Sequence, residues 1–127
     1  MLNAKGVKET RLLYKPNPTK RLEANKDIIE AIKDKNTSGI VFGPGSFFTS
    51  TGIHFLVEGL PQSLAERRKA GDIPIIFVMN PVVDNESSEY SLTDLLSFIE
   101  EKTGYKINQL FSDIIVNKFD TTKLEEH

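Results

Sequence analysis

The chain has no cysteine and no tryptophan among its 127 residues. Without cysteine there is no disulfide, no thiolate zinc site and no thiol nucleophile. Histidine is nearly as scarce, with only His54 and the last residue, His127. That excludes a histidine-rich metal centre and any mechanism with two internal histidines. Neither sign of charge predominates: 16 Lys and Arg against 18 Asp and Glu leave −2 at pH 7. A general nucleic-acid binder needs a basic face for phosphates, which this balance does not supply, although it leaves room for a small local anion site. No apolar run approaches the ~20 residues of a membrane helix. The start, Met1-Leu2-Asn3-Ala4-Lys5-Gly6, has no apolar signal region. The expected location is cytoplasmic, with neither nucleic acid nor a membrane as partner.

What is present is the composition of one ordinary folded domain spanning residues 1–127, with 27% charged and 9% aromatic residues. Hydrophobic periodicity and turn residues predict strands at Val7–Tyr14, Gly39–Phe42, Ile73–Met79 and Ile114–Val116. Between them the spacing predicts helices over Lys26–Lys35, Phe47–Leu56, Pro61–Lys69 and Ser91–Thr103. Asn25 is the expected cap of the first helix, and Ser91-Leu92-Thr93-Asp94 resembles a capping box at the last. Residues 119–127 read as a polar tail. Strands alternating with helices, without tight hairpin signals, imply a Rossmann-like α/β fold. Its parallel sheet has about four strands with helices on both faces. So short a sheet leaves edges open, and self-association or packing against a further half of the same fold is expected.

In open parallel sheets, ligands sit beyond the carboxyl ends of the strands. Two loops fall there. In Gly43-Pro44-Gly45-Ser46-Phe47-Phe48-Thr49-Ser50, Gly43 and Gly45 let backbone N–H groups approach an anion. Ser46, Thr49 and Ser50 bring hydroxyls, and a following helix would add its positive end. Local chemistry leaves two readings open, a phosphate cradle or a sharp serine-capped turn. The segment is not a P-loop, because Gly-Lys-Ser/Thr is missing. The second loop begins at Asn80, which could bond a base, a ribose or backbone. Beyond it, Asp84, Glu86 and Glu89 could hold a metal or act as a base. A solvated acidic loop is the preferred reading for residues 86–89. The other charged groups read as structural. His54 is a packed or surface residue, Arg67-Arg68-Lys69 complements a helix end, and Asp113 is a surface carboxylate.

From Ile40 to Ser50 the chain resembles CofD-like proteins, which comprise 2-phospho-L-lactate transferases and the bacterial YvcK-type gluconeogenesis factors. The bacterial branch typically has Gly-Pro-Gly-Ser-Leu-Tyr-Thr-Ser where this chain has Gly43 to Ser50. Leu56-Val57-Glu58-Gly59-Leu60, Ile75 to Asn80, Tyr90 to Asp94 and Ile114-Ile115-Val116-Asn117 extend the likeness over most of the chain. Family members are considerably longer and begin with a Gly-Gly-Gly-Thr-Gly nucleotide loop that has no counterpart here. The family's Gly-Glu-Thr stretch is also replaced, by residues 84–89. The chain therefore resembles the C-terminal portion of an incomplete family fold, expected to be inactive alone. The resemblance implies a nucleotide or nucleotide-sugar ligand at Gly43, Gly45, Ser46, Thr49, Ser50 and Asn80. For the full-length protein it implies transfer of a phospho-lactyl-type group or metabolic regulation, with a divalent metal as the cofactor to look for. The alternative is a non-enzymatic α/β scaffold or interaction domain whose loops form an interface. Exposure of Phe47 or Phe48 would favour the scaffold, and burial of both beneath an open anion pocket would favour binding.

Overall fold

The computed structural model describes residues 21–81 and 89–117. The expected strand at 7–14, the tail at 119–127, and Asp84 and Glu86 lie outside them. Three parallel strands form one sheet: β1 (Ile40–Phe42), β2 (Ile75–Val78) and β3 (Asp113–Ile115). This is the expected parallel α/β architecture, with three strands rather than four among the described residues. Ile40 pairs with Ile75 and Phe42 with Phe77, while Phe77 pairs with Ile114 and Val78 with Ile115.

Local sequence explains most of the helices. In α1 (Lys26–Lys33), the Asn25 side chain accepts from the Asp27 N–H at 2.9 Å. α2 (Leu60–Ala70) takes Pro61 as its second residue, where a missing N–H costs little. α3 (Leu92–Thr103) opens on the expected capping box. Asp94 N–H donates to Ser91 Oγ at 3.1 Å, and Ser91 N–H donates to Asp94 Oδ2 at 2.8 Å. A fourth helix, α4 (Ile107–Leu110), was not expected. Four residues are too few to show a helical period.

The segment expected as one helix over 47–56 is different. It is a π-helical turn at Phe47–Thr51 followed by a 3₁₀ turn at Gly52–Leu56. Thr51 N–H donates to the Ser46 carbonyl, five residues back, at 3.0 Å. Gly52 lies so close to the preceding turn that a Cβ there would stand 2.6 Å from the Phe47 carbonyl oxygen. Glycine at 52 tolerates the closeness of the π turn, whose Gly52 N–H donates to the Phe47 carbonyl, and Thr49, Ser50 and Thr51 give a regular α-helix little support.

The core lies on one face of the sheet. Ile75 and Phe77 are fully buried there among Phe47, Phe55, Leu64, Ile99 and Leu110. Every described phenylalanine joins one aromatic cluster, for example Phe55–Phe111 edge-to-face at 5.5 Å and Phe47–Phe98 at 5.5 Å. Such pairs add roughly 0.5–1.5 kcal/mol each beyond their burial. The opposite face carries Val41, Ile76, Val78 and Ile115. Val41 is 63% and Ile115 52% exposed, so no described element covers its outer strands. Strand order explains this. Strands in the order β1-β2-β3, joined by right-handed crossovers, place both crossovers on the same side.

The basic cluster has the structural role expected of it, in a more specific form. Arg67, 8% exposed, holds both Asp72 carboxylate oxygens at 3.1 Å. It also donates to the carbonyls of Ile32 at 3.0 Å, Asp34 at 2.8 Å and Thr37 at 3.2 Å. The guanidinium thus closes the end of α1, rather than only complementing its own helix. Arg68 Nε donates to the Phe111 carbonyl at 3.2 Å, tying α2 to the approach of β3.

Candidate functional site

The parallel sheet directs the carboxyl ends of all three strands the same way. The loop from Gly43 to Ser50 follows β1, Met79-Asn80-Pro81 follow β2, and Val116-Asn117 follow β3. The first two sets contain every residue expected to bind phosphate or nucleotide. Thr49 and Ser50 are exposed, whereas Gly45, Ser46 and Asn80 are half-buried. Ser46, Thr49 and Asn80 each make further interactions within the chain.

Contacts at both ends hold the Gly43–Ser50 loop. At its start, Gly43 has φ +86° and packs against the end of β2. A Cβ on it would stand 2.4 Å from the Val78 carbonyl oxygen. The glycine thus permits both a left-handed backbone and a close approach between neighbouring strands. The Gly43–Pro44 peptide is cis. At the other end, Phe47 and Phe48 are only 2% and 4% exposed. Phe47 packs edge-on to Phe77 at 6.4 Å, and Phe48 packs against Tyr90 at 5.1 Å and Phe98 at 5.6 Å. The aromatics root the loop in the core and leave Gly43, Thr49 and Ser50 at the surface, with Gly45 and Ser46 half-buried.

The donor set is narrower than the sequence implies. Ser50 and Thr51 N–H groups both donate to the Ser46 carbonyl at 3.0 Å. Ser46 makes no side-chain cap bond. The element after the loop is a five-residue π turn, so the full dipole of an α-helix does not stand behind it. The expected helix-end contribution is corrected accordingly.

Asn117 is a participant that the sequence did not single out for this site. Its side-chain Nδ2 donates to the Pro81 carbonyl. One step earlier, Met79 N–H donates to the Ile115 carbonyl at 2.9 Å. A side-chain bond between residues 36 apart leaves no mark in local sequence. His54 sits exposed on the 3₁₀ turn, its ring 6.2 Å from that of Phe42, in the packing role expected of it. Among the described residues, no group of three or more His, Asp or Glu could hold a metal ion. Nor is any described helix long and apolar enough to cross a membrane.

A parallel α/β sheet with a glycine-rich loop at the carboxyl end of a strand defines the class of protein. The family follows from the sequence as a whole. Residues 3–127 match the family model described as 2-phospho-L-lactate transferase CofD, and the chain belongs to that family. No curated protein and no solved structure matches it.

Proposed function

We propose that this chain binds the phosphate groups of a nucleotide or nucleotide-sugar in the loop Gly43 to Ser50, with Asn80 meeting the base or ribose. In a full-length protein this would serve transfer of a phospho-lactyl-type group, the chemistry named for its family, or ligand-controlled regulation. The observation that carries the reading is the burial of Phe47 and Phe48 beneath an exposed loop. Had the loop been an interface, its aromatics would be the groups to present. Gly45 keeps the loop compact, since a side chain there would crowd Ser50, whose Cβ lies 3.2 Å from the added carbon. The Ser50 and Thr51 N–H groups are committed to the Ser46 carbonyl, so the anion is placed at the start of the loop, around Gly45. Neutral hydrogen bonds of roughly 0.5–1.5 kcal/mol each add up to weak binding in the millimolar range.

An amide chemical-shift titration with inorganic phosphate and a nucleoside diphosphate tests this. Perturbations should cluster at residues 43–50, and Gly45→Val should abolish them. Asn108→Ala, on α4 at the opposite end of the sheet, should leave them intact. Shifts that cluster elsewhere, or unchanged binding by Gly45→Val, would reduce this loop to a turn. The scaffold reading draws its support from another feature, the apolar face bearing Val41 and Ile115.

A further inference from the structure

The ladder between β2 and β3 continues past the named strands through Met79 N–H and the Ile115 carbonyl at 2.9 Å. Two residues later a regular parallel ladder would need a donor at position 81, and proline has none. The chain supplies a bond there in the opposite direction, from Asn117 Nδ2 to the Pro81 carbonyl. Asn80 is therefore fastened on both flanks to the strand beside it. On the other side, the end of β2 is in close contact with Gly43 through the Val78 carbonyl. We infer that Asn117 is a positioning residue: it holds Asn80 at the height of the Gly43–Ser50 loop, so that one ligand can reach both. This inference rests on the binding reading above and assigns Asn117 no contact with ligand.

The two parts of a nucleotide meet different residues. The diphosphate meets the glycine loop, whereas the nucleoside meets Asn80. Loss of Asn117 should therefore weaken nucleotides and spare pyrophosphate. The experiment titrates ADP, GDP, UDP and inorganic pyrophosphate into the parent chain, Asn80→Ala, Asn117→Ala and Asn117→Asp. The aspartate keeps the shape and removes the donor. For the best-bound nucleotide, all three variants should weaken binding at least fivefold, while pyrophosphate changes less than twofold. Equal losses for nucleotide and pyrophosphate would mean general damage, and nucleotide binding by Asn117→Ala at the parent's strength would mean no role; either overturns the inference. A parent chain that binds none of the four ligands overturns the loop reading itself. A ligand-free measurement keeps the clamp distinguishable in that case. Asn117→Ala should shift the Asn80 side-chain amide resonances and speed Met79 N–H exchange at least tenfold. If both stay as in the parent, the clamp is refuted independently of any ligand.

Discussion

Replacing Gly43 with alanine should damage this protein more than the same change at a glycine of similar backbone angle. The comparison is with Gly59, at φ +93°, around which an added Cβ would meet nothing within 4 Å. At Gly59 the cost is the left-handed backbone alone, roughly 1–2 kcal/mol. Gly43, at φ +86°, bears that cost as well, and its Cβ would stand 2.4 Å from the Val78 carbonyl oxygen. A carbon and an oxygen settle at roughly 3.3 Å or more. The ends of β1 and β2 must then part by nearly 1 Å, in a region where Phe42 and Phe77 are paired. Overpacking of that kind costs typically about 1–3 kcal/mol. Gly43→Ala should therefore lose roughly 1–3 kcal/mol more than Gly59→Ala. For a domain of this size, 1 kcal/mol corresponds to roughly 3–6 °C in Tm. Thermal unfolding followed by circular dichroism should place Gly43→Ala about 3–18 °C below Gly59→Ala. Equal midpoints would show that the strand ends part freely, and that Gly43 does not set the position of the loop.

Arg67→Lys should be destabilising despite keeping the charge. A lysine cannot reproduce two bonds to Asp72 together with three to the carbonyls of Ile32, Asp34 and Thr37. A loss on the order of 2–4 kcal/mol is expected, since bonds to charged groups contribute about 1.5–3 kcal/mol each and some will re-form. Asp72→Ala should cost less, because Asp72 is 54% exposed and water replaces its partner. Urea denaturation measures both, and parent-like stability in Arg67→Lys would refute the account. The apolar face should make a second copy its partner, weakly. Three strands about 4.8 Å apart and four residues of about 3.3 Å give a patch of roughly 200 Å². A standard interface uses about 800 Å² per partner. Light scattering should show association only at high concentration, abolished in Val41→Lys/Ile115→Lys. A parent chain that stays monomeric at millimolar concentration would exclude it.

The parts of this fold that were legible in the sequence are those whose cause is local. The Ser91–Asp94 capping box, the Asn25 cap and the buried strand at Ile75–Val78 each follow from residues a few positions apart. The segment from Phe47 to Leu56 looked helical because Phe48, Phe55 and Leu56 suit a helical face. Its π and 3₁₀ turns bury Phe47, Phe48 and Phe55 together, which a helical period does not reveal. Arg67, Arg68 and Lys69 are equivalent as a run of cations. Only the fold selects Arg67 for burial and sends it to α1. The candidate site divides in the same way. Gly43, Gly45 and the hydroxyls announce a loop after a strand, whereas the Asn117 bond to Pro81 depends on which strands lie side by side.

Strand order also bears on where a ligand could lie. Crevices in open α/β sheets form where the order of strands reverses, because crossovers there leave to opposite faces. The described order, β1-β2-β3, contains no reversal, and the exposed Val41 and Ile115 are the other consequence of the same order. Among the described residues β1 has a neighbour on one side only. A parallel strand added on its other side and reached by a connection running back from β3 would create the reversal at β1, and its crossover would cover the face that bears Val41. A strand leading directly into β1 would only continue the same order. The crevice would then open directly beside Gly43–Ser50. A strand continuing outward from β3 would open nothing near that loop and would leave Val41 bare. The two features that look unrelated, an anion-type loop after β1 and an uncovered apolar face, are thus satisfied together by one addition at the β1 edge, provided its connection runs back across the sheet.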